Sequence, residues 1–123
     1  MITIKDPIML KKMERALKQG GNLYTLDDIG IALHNGDMQS HTADGTWVIT
    51  TVSKFPYKKS VDVLFVVGDL EGAFVVDRQL EGWARDVVKA DFMTAAGRDG
   101  WEKRLGRGWK KTANIYTKDI SHG

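Results

Sequence analysis

Val61-Asp62-Val63-Leu64-Phe65-Val66-Val67-Gly68-Asp69-Leu70-Glu71-Gly72-Ala73-Phe74 is the stretch whose reading decides the architecture. Residues 61–67 are almost continuously apolar, which suits a central strand covered on both faces more than a half-exposed edge. Gly68 to Ala73 reads as a loop. A helix from about Val75 to Lys89 follows, and its Val76, Leu80, Trp83, Ala84, Val87 and Val88 form the clearest amphipathic stripe in the chain. Asp91 to Ala95 then supplies a short strand.

Working back toward the N-terminus, the period is 2 rather than 3.6. Met38 to Thr42 and Trp47 to Val52 flank Ala43-Asp44-Gly45-Thr46, and Asp-Gly between alternating runs is a strong hairpin signal. Phe55-Pro56-Tyr57-Lys58-Lys59 makes the following turn. Two helices precede the hairpin. In the first, Asp6 reads as N-cap and Pro7 as first helical residue, Met9, Leu10, Met13, Ala16 and Leu17 lie on one face, and Gly20-Gly21 supplies the stop. In the second, Thr25 caps, Asp28 holds the capping-box position, Ile29, Ala32 and Leu33 face inward, and Gly36 ends the helix. Ile2 to Lys5 reads as a first strand. Beyond Ala95, Gly97-Arg98-Asp99-Gly100 is a turn, Trp101 to Arg107 a short helix, and Trp109 to Ile120 a final strand with imperfect alternation. The predicted order is β-α-α-β-β-β-α-β-α-β, an α/β fold of the α+β kind, with a mixed sheet and helices on both faces.

At 123 residues, 42% hydrophobic and 28% charged, the chain reads as one domain over 1–123 with a loose tail at 121–123. A domain of this size removes roughly two thirds of its unfolded surface from water and needs no staples. The lack of cysteine excludes thiol nucleophiles, zinc-thiolate sites and disulfides. There is no apolar run near 18 residues, hence no predicted membrane partner, and no basic segment leads into an apolar one at the start. These features predict a chain used inside a cell or packed into something assembled there.

Eighteen basic against 16 acidic residues give a net charge of +2, too little to make nucleic acid the expected main partner. The basic residues are nevertheless clustered. Arg98, Lys103, Arg104, Arg107, Lys110 and Lys111 stand against only Asp99 and Glu102, with Trp101 and Trp109 interleaved. This segment is either a solvated helix face with its tryptophans in the core or a contact surface for phosphate or an acidic protein surface. It and the turn from Phe55 to Lys59 are the candidate interface regions. His34, His41 and His122 lack metal-ligand spacing; His34 is placed to meet carbonyls at a helix end, and His41 reads as a cross-strand surface residue. Ser40, Ser53 and Ser60 lack the Gly-x-Ser-x-Gly elbow of a hydrolase. Met9, Met13, Met38 and Met93 read as core filler.

The element order, with two helices after Ile2-Thr3-Ile4-Lys5, resembles the GNAT superfamily of N-acetyltransferases over nearly the whole chain. Leu80-Glu81-Gly82-Trp83-Ala84-Arg85, Gly97-Arg98-Asp99-Gly100-Trp101 and Tyr116-Thr117-Lys118-Asp119-Ile120 are similar to segments of small tailed-phage proteins built on a GNAT-like core. The first resemblance implies a coenzyme A pyrophosphate held on backbone amides at the start of the helix after the central strand, through Gln/Arg-x-x-Gly-x-Gly/Ala. Gly72 and Ala73 match the small positions as candidate cofactor-binding residues. The Gln/Arg is missing, and Asp69 and Glu71 put two negative charges there, each opposing a diphosphate by about 1 kcal/mol at about 5 Å in water. The resemblance also implies a glutamate base and a tyrosine acid. No Glu lies on the strands at 47–52 or 61–67, where Asp62 is the available carboxylate, and Tyr116 falls on the last strand, too late to be carried over.

These readings imply a non-catalytic virion protein with no cofactor, made in the host cytoplasm and packed in multiple copies against other virion proteins. Its place would be the tail, the head-to-tail region or the capsid interior. One alternative is an N-acetyltransferase dependent on acetyl-CoA; another is a small binder of an acidic host surface.

Overall fold

The computed structural model describes residues 7–19, 23–43, 45–68, 70–95, 108–110, 112, 116 and 118–121. Helix α1 (Pro7–Gln19) starts on the predicted proline, whose missing amide costs nothing at that position. Helix α2 (Leu26–Asn35) carries the predicted capping box. The Asp28 amide donates to Thr25 Oγ1 at 3.1 Å, and the Thr25 amide to Asp28 Oδ2 at 2.9 Å. Gly36 stops it in the left-handed region, at φ 81°.

Strands β1 (Gln39–Ala43) and β2 (Thr46–Lys54) form the predicted hairpin, with Gly45 at φ 72° in its turn. Strand β3 (Lys59–Gly68) pairs antiparallel with β2, and β4 (Phe92–Ala95) pairs parallel with β3. The sheet order is β1-β2-β3-β4, a mixed sheet with β3 inside it as its apolar run required. Helix α3 (Leu70–Trp83) and a π-helical turn (Ala84–Val88) make the crossover between the parallel strands.

The core lies in two layers, one on each side of the sheet. Met13 and Leu17 of α1 and Ile29 of α2 pack with Met38, Trp47, Ile49 and Val67 on one face. Val76 and Leu80 of α3 pack with Val48, and against Val63, Trp83 and Met93, on the other. Trp47 and Ile49 alternate with Val48, so one strand feeds both layers. Among the described residues no helix is long and apolar enough to cross a membrane.

The register of β3 shifts once. Ile49 faces Phe65 while Thr50 faces Val63, which leaves Leu64 as an extra residue, a β-bulge. The bulge inverts the facing of everything before it. Phe65 and Val67 point to the α1–α2 side; below the bulge Val61 and Val63 point to the α3 side, and Ser60 and Asp62 share a face with Trp47 and Ile49.

Three expectations are corrected. The helix begins at Leu70 rather than near Val75, directly after β3, so the predicted loop from Gly68 to Ala73 is largely helix. Val87 leaves the predicted stripe and is 69% exposed, because the wider π turn shifts the rotational phase after Ala84. Of the predicted strand from Trp109 to Ile120, the described residues Trp109, Lys110, Thr112, Tyr116 and Lys118 to Ile120 belong to no strand. Tyr116 and Ile120 are exposed and bury no face that would hold a register, and Asp119 Oδ1 accepts from the Ser121 amide and hydroxyl in a local turn. Ser121 of the expected tail is thus tied back to Asp119. The predicted strand at 2–5, the Asp6 cap, the Gly20-Gly21 stop, the turn at 97–100 and the helix at 101–107 lie outside the described residues. So the ten-element order stands over its middle seven members only.

Candidate functional site

The strongest polar constellation is built on β3. Asp62 accepts three hydroxyl hydrogen bonds: from Ser53 on Oδ2 at 2.5 Å, and on Oδ1 from Ser60 at 2.9 Å and Thr94 at 2.6 Å. The register explains the convergence, since Ser53 pairs with Ser60 and Asp62 with Thr94, on three adjacent strands and one face. Burial by itself would push the Asp62 carboxyl up, but the hydroxyls of Ser53, Thr94 and Ser60 outweigh it and hold the group below the ordinary carboxylate range. Among the described residues no cation lies within ion-pair distance of Asp62.

A second constellation lies on the α3 side of β1 and β2. Gln39 Nε2 donates to the Gly36 carbonyl at 3.1 Å, which turns its Oε1 toward Thr50, and the buried Thr50 hydroxyl donates to that oxygen at 3.0 Å. With its one proton committed, Thr50 Oγ1 receives from His41 Nε2, 3.1 Å away. The chain therefore selects the Nε2–H tautomer and leaves Nδ1 as the basic nitrogen. The imidazole lies edge-on to Trp83 with ring centroids 4.7 Å apart. Burial pushes its pKa down. So His41 is half-buried and structurally engaged, not the surface residue that its place in the hairpin predicted. Asp62 and His41 face opposite sides of the sheet and share no proton.

His34 is exposed in the last turn of α2 and bonds to no carbonyl there. The backbone amides of Gly36, Asp37 and Met38 reach the Leu33 and Ala32 carbonyls first. On α3, burial pushes the Asp77 carboxyl up, opposed by a hydrogen bond from Trp109 Nε1 at 3.2 Å and reinforced by the charge of Glu81. Trp109 of the basic segment is thus docked on α3. Among the described residues no group of three or more His, Asp or Glu is placed to hold a metal ion.

The predicted cofactor positions Gly72 and Ala73 fall within the first turns of α3. Of the basic candidates, Lys110 is exposed, while Arg98, Lys103, Arg104, Arg107 and Lys111 lie outside the described residues. The turn from Phe55 to Lys59 is a surface feature: Phe55 is 54% and Tyr57 96% exposed, and the Phe55 ring stacks on Phe92 at 6.3 Å and 18°. The base of the turn is clasped. Lys59 donates its amide to Asp91 Oδ2 and its Nζ to the Val88 carbonyl at the end of the π turn, and its carbonyl accepts from the Asp91 amide.

Sequence reading named Asp62 and His41 singly and missed their partners. The signal was present in the strand alternation: Ser53, Ser60 and Thr94 stand on three strands at positions that one register aligns.

No family model matches the chain, and no curated protein does. Solved structures do share the fold. A point mutant of TTHA1254 from Thermus thermophilus superposes with a TM-score of 0.52 at 14% identity, over 92% of this chain and 98% of that one. A tetramutant of BH1408 from Bacillus halodurans superposes with a TM-score of 0.51 at 10% identity, over 89% of this chain and 92% of that one. The likeness at these identities is of fold alone: a mixed α+β domain, with a four-stranded sheet and three helices among the described residues.

Proposed function

We propose that this chain is a non-catalytic packing protein of a phage particle, built on a GNAT-like fold, made in the host cytoplasm and assembled in multiple copies against other virion proteins. The start of α3 carries the reading. A helix N-terminus after a parallel-sheet strand is a ready anion site when glycines let the backbone approach. Here the helix begins at Leu70, immediately after β3, and the chain places Asp69 before it and Glu71 in its first turn. Two carboxylates at this point of the sequence oppose the binding of a diphosphate. Asp62 and His41, on opposite faces of the sheet, supply no acid–base pair to compensate. The phage-like segments around Trp83, Trp101 and Tyr116 support the assignment to a particle, and exposed Phe55 and Tyr57 support a contact role.

The test is the composition of purified particles by quantitative mass spectrometry. The chain is expected there in fixed stoichiometry to the capsid protein, and its absence overturns the reading.

One observation favours the acetyl-CoA-dependent N-acetyltransferase as a second reading. Gly72 and Ala73, the small residues of the pyrophosphate pattern, fall in the first turns of a helix that follows β3 directly, where a helix N-terminus favours an anion. Thermal unfolding with acetyl-CoA separates the two readings: binding at a hundredfold excess over Kd adds about 2.7 kcal/mol, a rise of roughly 8 to 15 °C in Tm. The packing protein shows no rise at millimolar acetyl-CoA.

A further inference from the structure

We infer that Asp62, with the Phe55–Phe92 stack beside it, is the receiving site for a lysine side chain projected by a neighbouring protein. The inference deepens the packing-module reading and rests on it for the identity of the neighbour, though not for the chemistry of the site.

Three observations meet on one face of the sheet. The first is an unbalanced charge. The three hydroxyl donors keep Asp62 ionised, and no cation among the described residues lies within ion-pair distance of it. A partly buried carboxylate held by neutral donors alone retains its full negative charge toward any cation that reaches it. The second is its remaining capacity. A carboxylate offers about four acceptor positions; among the described residues Ser60 and Thr94 occupy two on Oδ1 and Ser53 one on Oδ2, which leaves a single position, on Oδ2. That suits one N–H of an ammonium and not the paired donors of a guanidinium fork.

The third is the aromatic platform. Phe92 pairs in register with Ser60, which pairs with Ser53, so all three form one row across the sheet. Asp62 stands two residues along from Ser60 and accepts from both serines, so its carboxylate leans back toward that row. Phe92 is 41% exposed and stacked on the more exposed Phe55. Exposed rings beside a carboxylate favour a cation on an aliphatic stem, which gains from both the ring face and apolar contact. The neighbouring charges are compatible: Asp91 is exposed next to Phe92, Lys59 is occupied at the Val88 carbonyl, and Lys54, paired with Lys59, faces the other side of the sheet. Lys58, exposed in the turn, is the opposing charge among the described residues.

The test is a titration of the isotope-labelled full chain with n-butylammonium at constant ionic strength, followed by amide NMR, with n-butanol and methylguanidinium as comparison probes. Butylammonium is expected to move the Ser53, Asp62, Phe92 and Thr94 resonances, butanol to leave them in place, and methylguanidinium to bind more weakly. D62N is expected to weaken the response at least about tenfold, as loss of a charged hydrogen-bond partner does. F55A, at an exposed position that leaves the hydroxyl cluster intact, weakens it severalfold in a chain that keeps its dispersed spectrum. No response to butylammonium, an equal response to butanol, or tighter binding of methylguanidinium overturns the inference. In particles, D62N and F55A are expected to be depleted relative to the unaltered chain. Equal incorporation of both variants overturns the partner site and leaves the packing reading standing; absence of the unaltered chain overturns that reading while the titration still decides the site.

Discussion

The two ends of β3 differ more than their shared apolar composition suggests. From Lys59 to Val63 the strand is paired on both sides, clasped at Lys59 by Asp91 and Val88, and polar on one face through Ser60 and Asp62. From Leu64 to Gly68 it is paired to β2, carries Phe65 and Val67 into the α1–α2 core, and runs into α3. One extra residue separates these regimes. Because side chains alternate with period 2, a single bulge reassigns every residue on one side of it to the other face. The same strand can thus complete an apolar layer at one end and present a charge at the other.

Inserting one residue between Ile49 and Thr50 breaks this comparison most severely. It gives Leu64 a partner and returns β3 to an unbroken register, turning Asp62 toward the α3 side and Val61 and Val63 away from it. Loss of the cooperative unfolding transition is expected, checked by circular dichroism and calorimetry. Gly68→Ala follows. Gly68 has φ 120°, and a Cβ there would sit 1.9 Å from the Gly45 carbonyl oxygen, so backbone must move. A loss of about 3 kcal/mol or more is expected in urea unfolding. Gly36→Ala is the control: its φ is 81° but the space around it is open, and the cost is about 1 kcal/mol.

At the polar end, Asp62→Asn leaves three hydroxyls without their charged acceptor. It should cost about 2 kcal/mol at neutral pH, measured by urea unfolding.

The smallest effect is in the pH profile, and it sharpens the contrast between Asp62 and His41. The folded-state pKa of Asp62 is depressed, so its contribution is present above the ordinary carboxylate pKa and is lost as pH falls through that value to the folded one. His41 is also depressed, but as a base; its neutral form is the one the fold accepts. Stability is therefore full above about pH 6.5 and declines below it, as the unfolded chain takes up the proton first. Tm should rise with pH in two separate windows. Asp62→Asn is expected to erase the lower and His41→Gln the upper; an unchanged profile in either variant contradicts that assignment.

Much of this fold was readable residue by residue. Pro7, the Thr25–Asp28 box, Gly36 and the Gly45 hairpin act through neighbours within a few positions, and each stands where local chemistry put it. The start of α3 was less readable, because Gly72 suggested a loop while nothing local forbade a helix. Val87 was misread because the π turn changes the periodicity on which the stripe was drawn. Asp62 was legible as a lone carboxylate on an apolar strand; its role required knowing which hydroxyls would stand beside it, and these come from β2, β3 and β4.

The sequence by itself determined where most elements begin and end, that the strand after Tyr57 is central, and that no thiol chemistry operates here. Caps, turns and hydrophobic period are local and are written into neighbouring residues. Only the tertiary structure decided that Leu64 is a bulge, that Gly68 lies against Gly45, and that Asp62 gathers three hydroxyls while His41 is turned to the other side. Those outcomes depend on pairing register, a relation between segments 9 to 32 residues apart, and a register is settled by the packing of whole faces rather than by any one residue.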